Sequence, residues 1–464
     1  MYAATIASQA VDMLQAGLAG DVYVPGDDGY DEARRAWNLA KDQRPAAVVF
    51  AESAADVVAA VRFARSQGMR VAPQGTGHGA LPLEQLDSAM LLRTERLRQV
   101  AIDREARTAH AEAGALWQDV AVPAGRDGLA ALAGTSPNVG VAGYTLGGGI
   151  GWLARRYGLA ANSVTALQIV TPDGNLVRAD ADHEADLFWA VRGGGGSVGV
   201  VTALDMTVYP VCQVYAGGLF FPIERSSEVL NAWREWTDTV PDEVTSIGRI
   251  LRLPDVPEVT EFLRGRTFAV VEAAYLGEAA FGARLMQPLR DLRPELDTFA
   301  AMSAEALSRV HMDPAQPVPA QGDGAFLADA PAAAICALLA SAGPNADTSL
   351  ASIEIRHLGG ALGRAAPGGG AQPAVQAKYV VFAGGFAPTA EMSERVLGDV
   401  RTVKAALRPW RARYDYYNFS ETPAEAHSVL PPESYQRLQR IKAAYDPDQA
   451  IISAHPVRLP GMGR

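Results

Sequence analysis

Cysteine is nearly absent: Cys212 and Cys336 are the only two in 464 residues, far apart and outside any CxxC, which excludes a disulfide framework and a cysteine-built metal site. Lysine is almost as scarce, limited to Lys41, Lys378, Lys404 and Lys442. A net charge of −11 with no basic stripe excludes a nucleic-acid footprint. No apolar run is long enough to cross a bilayer, and the first six residues lack the basic start and apolar core of a signal peptide, so a cytoplasmic protein without a membrane partner is expected. HExxH, a GxSxG elbow and a P-loop lysine are missing, which leaves zinc-protease, serine-hydrolase and NTPase chemistry without a foothold. The acidic run Asp180, Asp182, His183, Glu184 and Asp186 lacks ligand spacing and reads as a hydrated helix start, so no metal is expected. No segment repeats in tandem.

Glycine is plentiful, in three clusters. The first, Pro73-Gln74-Gly75-Thr76-Gly77-His78-Gly79, follows a βαβ pattern: a strand over 45–50, a helix capped by Ser53 with Val57, Ala60, Val61 and Ala64 on one stripe, Gly68 at its end, and a short strand at 69–71. Such a loop brings backbone N–H groups to an anionic ligand and leaves an imidazole within reach. A Rossmann unit places its glycines after the first strand, and here they follow the second. The second cluster runs from Gly134 to Gly151. The third, residues 193–199, satisfies GxGxxG at Gly194, Gly196 and Gly199, but its order is helix, glycines, strand, the reverse of the nucleotide fingerprint, which argues against NAD.

A chain of this length with 48% hydrophobic and 20% charged residues exceeds one core, so more than one folded unit is expected. Short strands, helices and glycine turns continue to about residue 210, including a hairpin around Pro172-Asp173-Gly174-Asn175. Longer helices (224–236, 278–289) then alternate with isolated strands such as 268–276. The prolines at 314, 317 and 319 and the loop 365–373 read as surface connections. Aromatic density returns at Tyr414-Asp415-Tyr416-Tyr417-Asn418-Phe419. The expected division is 1–210, a central unit 211–410, and a segment 411–464 that returns to the first.

Taken together, the Arg44-Pro45 strand, the Gly75-Thr76-Gly77-His78 loop, Gly147-Gly148-Gly149-Ile150-Gly151 with Arg156-Tyr157-Gly158-Leu159, residues 186–190 with their glycines, and Tyr416-Tyr417-Asn418-Phe419 resemble the berberine-bridge-enzyme-like branch of the vanillyl-alcohol oxidase superfamily. The resemblance implies an α+β protein with a PCMH-type FAD-binding fold of two α/β subdomains and a substrate domain of antiparallel sheet covered by helices. It implies FAD held by Pro73, Gln74, Gly75, Thr76, Gly77 and Gly79, by Ser136, Val139, Gly140, Gly143, Tyr144, Gly147 and Gly148, and by Gly199, Val201 and Asn418. His78 is implied as the covalent anchor of the flavin 8α-methyl. Ser136 stands where some members carry a second, cysteinyl link, so a single histidyl bond is expected. Gln74 replaces a frequent arginine, and Ala80 replaces the tyrosine of many plant-type members.

In such enzymes substrate hydride passes to flavin N5 while the tyrosine of a Tyr-x-Asn motif takes the proton, here Tyr416 with Asn418. Tyr414 and Tyr417 are the rival bases. A phenol of ordinary pKa about 10 needs a cationic neighbour, for which Lys378 is the candidate, sharing one face of a predicted strand over 374–380 with the pocket-lining candidate Gln376. Glu354 and Arg356 alternate with Ile353 and Ile355; an ion pair is their expected fate, a place on the pocket wall the alternative. Val139 stands at a gatekeeper position where valine accompanies reaction with dioxygen. The implied activity is an FAD-linked oxidase of a small-molecule alcohol, sugar or natural-product intermediate, with a flavin dehydrogenase or monooxygenase-like catalyst as the alternative.

Overall fold

The computed structural model describes residues 7–459, so the first six residues, read above for a leader, lie outside the described residues. The first sheet has the order β1-β2-β4-β3, with β1 Val22–Tyr23, β2 Ala47–Phe50, β3 Arg70–Gln74 and β4 Ala89–Arg93. β4 lies parallel between β2 and β3, and β1 runs antiparallel at the edge. The helix Ala54–Ser66 crosses between β2 and β3; Ser53 Oγ accepts the Asp56 N–H at 3.1 Å, and Gly68 at φ +65° follows its end. Its Val57, Ala60, Val61 and Ala64 are buried, and each fully buried valine contributes about 1.5–3 kcal/mol.

A second, antiparallel sheet has the order β5-β6-β9-β7-β8: β5 Val100–Asp103, β6 Thr108–Glu112, β7 Val164–Val170, β8 Leu176–Asp180 and β9 Val200–Thr207. β7 and β8 form the hairpin around residues 172–175. Val170 and Val200 enter the core beneath the helix of the first sheet, so the two α/β layers share an interior. The third glycine cluster lies between the helix Ala185–Val191 and β9.

The remaining sheet has eight strands in the order β13-β10-β12-β11-β16-β17-β15, with β14 on β10: β10 Gln213–Pro222, β11 Val244–Arg252, β12 Thr267–Tyr275, β13 Leu296–Asp297, β14 Ala300–Ser303, β15 Ala320–Leu327, β16 Ser352–His357 and β17 Tyr379–Phe386. The helices Ser226–Thr237, Ala279–Arg290, Ala332–Ala342 and Ala390–Ala406 cover one face, where Ile353 and Ile355 meet Val229, Trp233, Leu338 and Val396. Strand alternation turns Glu354 and Arg356 to the other face. At the end of the chain the helix Pro432–Tyr445 packs Leu438 and Ile441 into a core with Leu187 and Val191. Beyond it, Ile452 N–H donates to the Val71 carbonyl at 2.8 Å, and Val71 N–H to that of Ala450 at 2.8 Å.

Three local expectations change. The predicted strand over 374–380 begins only at Tyr379; Lys378 still bonds both neighbours, its N–H donating to the Leu327 carbonyl at 3.0 Å and its carbonyl accepting the Leu358 N–H at 2.9 Å, while residues 374–377 lie outside the strand. The proline-rich stretch is not merely a surface connection: Val318 pairs with Asn38, and Asp313, Pro314 and Val318 reach an internal cavity. Gly370, Ala371 and Gln372 of the loop 365–373 are likewise buried.

Candidate active site

A cavity of about 530 Å³ is lined by the glycine loops and by the uncovered face of the eight-stranded sheet, a size suited to a cofactor with a small ligand. Residues 73–79 all line it. β3 runs into this loop at Gln74, so the chain leaves the ladder as the glycines begin. Gly77 has φ +84°, and a Cβ there would stand 2.8 Å from both Ala36 Cβ and Gln74 Nε2, so only glycine lets the segment at Ala36 close on the loop. At Gly147 the constraint is proximity alone: a Cβ would lie 1.8 Å from Asn418 Oδ1. Around Gly79 and Gly143 nothing lies within 4 Å of a Cβ position, which leaves main chain open there.

His78 is held from two sides. Its ring stacks on Trp37 with centroids 4.0 Å apart and planes 17° from parallel, and its Nδ1 lies 2.8 Å from Thr76 Oγ1. Burial pushes its pKa down to about 4, so the ring is neutral. Its Nε2 is buried without a hydrogen-bond partner, as are both side-chain polar atoms of Gln74 and the hydroxyl of Tyr144, all on residues of the cavity wall. Orphaned buried polar atoms converging on one cavity mark the place of a polar ligand.

Opposite stands Tyr416, 1% exposed. Its phenol oxygen accepts the Ile150 N–H at 2.9 Å and Asn418 Nδ2 at 3.2 Å, while Asn418 Nδ2 also donates to the Tyr144 carbonyl at 2.9 Å. Burial pushes the phenol up to about 12, against the pull of the Ile150 amide, Asn418 and the Arg356 cation, which favour the phenolate. Arg356 donates through Nε and Nη2 to Glu354 Oε1 at 3.0 and 2.8 Å and lies over the Phe419 ring at 4.9 Å. Behind this pair His311 lies 2.5 Å from Glu272 Oε2 and 2.8 Å from Glu354 Oε2, with Arg249 3.3 Å from Glu272. Burial and Arg249 oppose charge on His311, but Glu272, Asp313 and Glu354 push it up to about 9. Burial alone would raise Glu354; Arg356 and His311 hold it well below the usual carboxylate range. Glu421, also on the wall, is pushed up to about 8 by burial and by Asp323.

The cavity brings together most of the residues expected from the sequence: the first loop, Ser136, Val139, Gly140, Gly143, Tyr144, Gly147, Gly199, Val201, Tyr416 and Asn418. Gly148 does not line it; at φ +109° it turns behind the wall against Gln372. Lys378 and Gln376 do not line it either. Lys378 pairs with Asp238 at 2.7 Å and Asp329 at 3.6 Å, and Gln376 is exposed, because the alternation that grouped them was read across residues that are not strand. The cation favouring a Tyr416 phenolate is Arg356. Glu354 and Arg356 meet both expectations, being an ion pair and part of the wall. Tyr417 also lines the cavity, while Tyr414 lies outside it with its hydroxyl 3.5 Å from the Ala374 carbonyl. Trp37, His311, Asp313 and Glu421 are additional wall residues that no motif flagged. Among the described residues no group of three or more His, Cys, Asp or Glu could hold a metal, and both cysteines are free and exposed.

A cleft with main chain open on one side and ionisable side chains on the other has room for a large polar ligand with a smaller one beside it. A sequence profile described as an FAD binding domain matches residues 45–180. The chain is 30% identical over 312 residues to the FAD-linked oxidoreductase YvdP of Bacillus subtilis, covering 66% of this chain and 67% of that one. It is 30% identical over 266 residues to (R)-6-hydroxynicotine oxidase of Paenarthrobacter nicotinovorans, covering 56% and 58%. The match to YgaK of Bacillus subtilis, at 31% identity, spans 49% of this chain and 52% of that relative, so the aligned parts cover about half to two thirds of these curated proteins. The BBE-like 1 protein of Physcomitrella patens superposes with a TM-score of 0.84 at 20% identity, over 97% of this chain and 99% of that one. The chain belongs to the FAD-linked oxidoreductases and has the fold of the berberine-bridge-like enzymes.

Proposed function

We propose that the protein is an FAD-dependent oxidase of a small-molecule substrate, with Tyr416 as catalytic base and His78 as the single covalent anchor of the cofactor. The carrying observation is the Tyr416 oxygen, buried on the cavity wall and receiving two N–H donors. The wall fits FAD: the loop 73–79 offers main chain to the pyrophosphate, and the orphaned atoms of Gln74, His78 and Tyr144 gain partners. Gln74 contributes no charge, so phosphate binding falls to backbone N–H groups. Bound FAD supplies a two-electron acceptor that takes hydride from a substrate carbon at N5 and yields the electrons to dioxygen.

Tyr416 takes the proton that leaves with the hydride. The Ile150 amide and Asn418 stabilise the phenolate by donating to its oxygen, and Arg356 adds a cation that Glu354 keeps in place. Phe382 and Phe419, with ring centroids 5.0 Å apart, give that wall an apolar surface for the carbon skeleton of a substrate. Val139 on the wall supports dioxygen as acceptor, as do the oxidase names of relatives, among them glucooligosaccharide oxidase of Sarocladium strictum, 30% identical over 236 residues. Ser136 supports the absence of a second link, since its hydroxyl bonds Asn138 Oδ1 at 2.7 Å and cannot form a thioether.

The test is rapid-mixing measurement of flavin bleaching under anaerobiosis. Tyr416→Phe is expected to slow it at least about 100-fold, the lower end of general-base contributions; an unchanged rate removes Tyr416 from the role. An air pulse should restore the flavin spectrum rapidly, and slow reoxidation contradicts the oxidase reading. Acid precipitation tests the anchor: a yellow pellet is expected, and a colourless pellet under a yellow supernatant overturns it.

A further inference from the structure

The cavity wall carries one carboxyl that the protein leaves without a partner. Of the wall carboxylates, Asp313 accepts from Thr135 Oγ1 at 3.0 Å, and Glu354 is held by Arg356 and His311. Among the described residues the Glu421 side chain has neither a hydrogen bond nor an ion pair; burial and the nearby charge of Asp323 are what act on it. Asp323 is itself fully engaged, pairing with Lys404 and accepting Thr422 Oγ1 at 3.0 Å and the Glu421 N–H at 2.9 Å. Lys404 is thus committed to Asp323, and Glu421 faces the cavity without a cation.

The sheet beside it presents an apolar floor. Phe382 on β17 pairs with Glu354 on one side and Gly324 on the other, and two residues along, Gly384 pairs with Ser352 and Gly322. A Cβ at Gly322 would stand 2.5 Å from Phe382 Cζ, and one at Gly384 3.2 Å from Phe382 Cε1. The ring therefore lies down over two glycines instead of standing off the sheet, and its free side forms part of the wall. Phe419 adds a second ring at 5.0 Å. Its Cβ lies 2.8 Å from a Cβ position at Gly324, and two residues on the chain reaches Asp323 through the Glu421 N–H. The carboxyl and the Phe382 ring thus meet the same stretch of β15. An apolar floor with an unpaired carboxyl at its edge fits an apolar body that carries a cation; a neutral polyol leaves the carboxyl unpaired, and an anion is repelled.

We propose that the substrate is a flat, apolar alcohol bearing an amine, its ring on Phe382 and its ammonium paired with Glu421, so that Glu421 selects substrates by charge. The ring and the amine concern binding; oxidation at the hydroxyl end rests on the reading of Tyr416 given above. While nothing pairs with it, the Glu421 carboxyl is pushed up to about 8 by burial and by Asp323, and a bound ammonium supplies the missing charge and brings it back toward the usual carboxylate range.

The experiment is calorimetric titration of the holoenzyme with three probes of matched size: 2-phenylethylamine, phenylacetamide and phenylacetate. At about pH 8.5 Glu421 is ionised, and an alkylammonium, with a pKa near the lysine value of about 10, remains charged. The amine is expected to bind at least about tenfold more tightly than the amide, the lower end of what a hydrogen bond to a charged group contributes, and phenylacetate most weakly. Glu421→Gln should abolish that preference while the amide binds as to the wild type, which also reports an intact fold. Phe382→Ala should weaken amine and amide by the same factor. Equal binding of amine and amide, tighter binding of phenylacetate, no binding of any probe, or a preference that survives Glu421→Gln overturns the proposal. So does loss of FAD from Glu421→Gln, which would assign the carboxyl to the cofactor. None of the probes carries the hydroxyl to be oxidised, so this result stands apart from the flavin-bleaching test of Tyr416, and either can fail without the other.

Discussion

Asn418 offers a sharper test of the proposed base than its removal, because the variant keeps the phenol and acts on the stability of its phenolate. Its Nδ2 donates to the phenol oxygen at 3.2 Å, one of two N–H donors there. A hydrogen bond to a charged group is worth roughly 1.5–3 kcal/mol. At 1.36 kcal/mol per unit, Asn418→Ala should therefore raise the phenol pKa by about 1–2 units beyond its already elevated value. Below that pKa the reactive fraction falls in proportion, so anaerobic flavin bleaching at fixed pH should slow about 10- to 150-fold, and the rising limb of the rate against pH should move to higher pH by the same 1–2 units. The variant also leaves the Tyr144 carbonyl without its 2.9 Å partner, so a loss of stability of about 1–3 kcal/mol is expected. Thermal unfolding separates that cost from the kinetic effect. Asn418→Asp, which keeps the size but replaces the donor with an acceptor of like charge, should do worse than alanine. If Asn418→Ala bleaches its flavin at the wild-type rate at each pH, the two-donor account of Tyr416 is wrong.

His311 should make stability depend on pH. Its folded pKa of about 9 lies above its ordinary 6.5, so its contribution is fully present below pH 6.5 and is lost as pH rises through 9, by up to about 3 kcal/mol. Glu354, depressed by Arg356 and His311, contributes above about pH 4.5 and does not mask the slope, whereas Glu421, raised to about 8, also loses stability as pH rises toward 8, so the His311 share is the difference between the wild type and His311→Gln. Urea midpoints at pH 6.5 and 9 check this, and His311→Gln should flatten that part of the profile. The glycines of the first loop should separate by mechanism. Gly77→Ala, strained at φ +84° and 2.8 Å from Ala36 Cβ, should cost about 1–3 kcal/mol in unfolding of the cofactor-free protein. Gly79→Ala, with nothing within 4 Å of its new methyl, should leave that stability within about 0.5 kcal/mol yet weaken FAD binding, read by titrating FAD into the apo-protein in a His78→Ala background that cannot form the link.

The glycine-loop half of the cavity was legible because its signals are local. A capped helix from Ser53, a strand and a run of glycines are consecutive in the chain, and each residue type has one physical use there: Gly77 for a left-handed φ, Thr76 and His78 for side chains that reach inward. The error at Gly148 has the same source. Its sequence neighbour Gly147 faces the cavity beside Asn418, while Gly148 turns toward Gln372, a distinction of backbone direction that no composition rule carries. Lys378 differs in another way: it stands immediately before β17, and its ammonium turns to Asp238 and Asp329, carboxylates distant in sequence that no period-2 reading brings to it.

The half of the cavity on the eight-stranded sheet was less legible because its groups meet through register. Arg249 on β11 stands opposite Glu354 on β16, Glu272 comes from β12, and His311 follows a 3-10 turn with no periodicity at all. Each residue viewed alone in the sequence is an unremarkable surface charge, and only the strand pairing turns them into a buried network. Three cations, Arg249, His311 and Arg356, then face three carboxylates, Glu272, Asp313 and Glu354. Burying so many charges is tolerable only when each is paired, and removing one partner strands the others. That balance has a consequence for the cavity wall. With its charges paired among themselves, this face presents polar groups to the cavity, and of its cations Arg356 is the one that lowers the Tyr416 phenol.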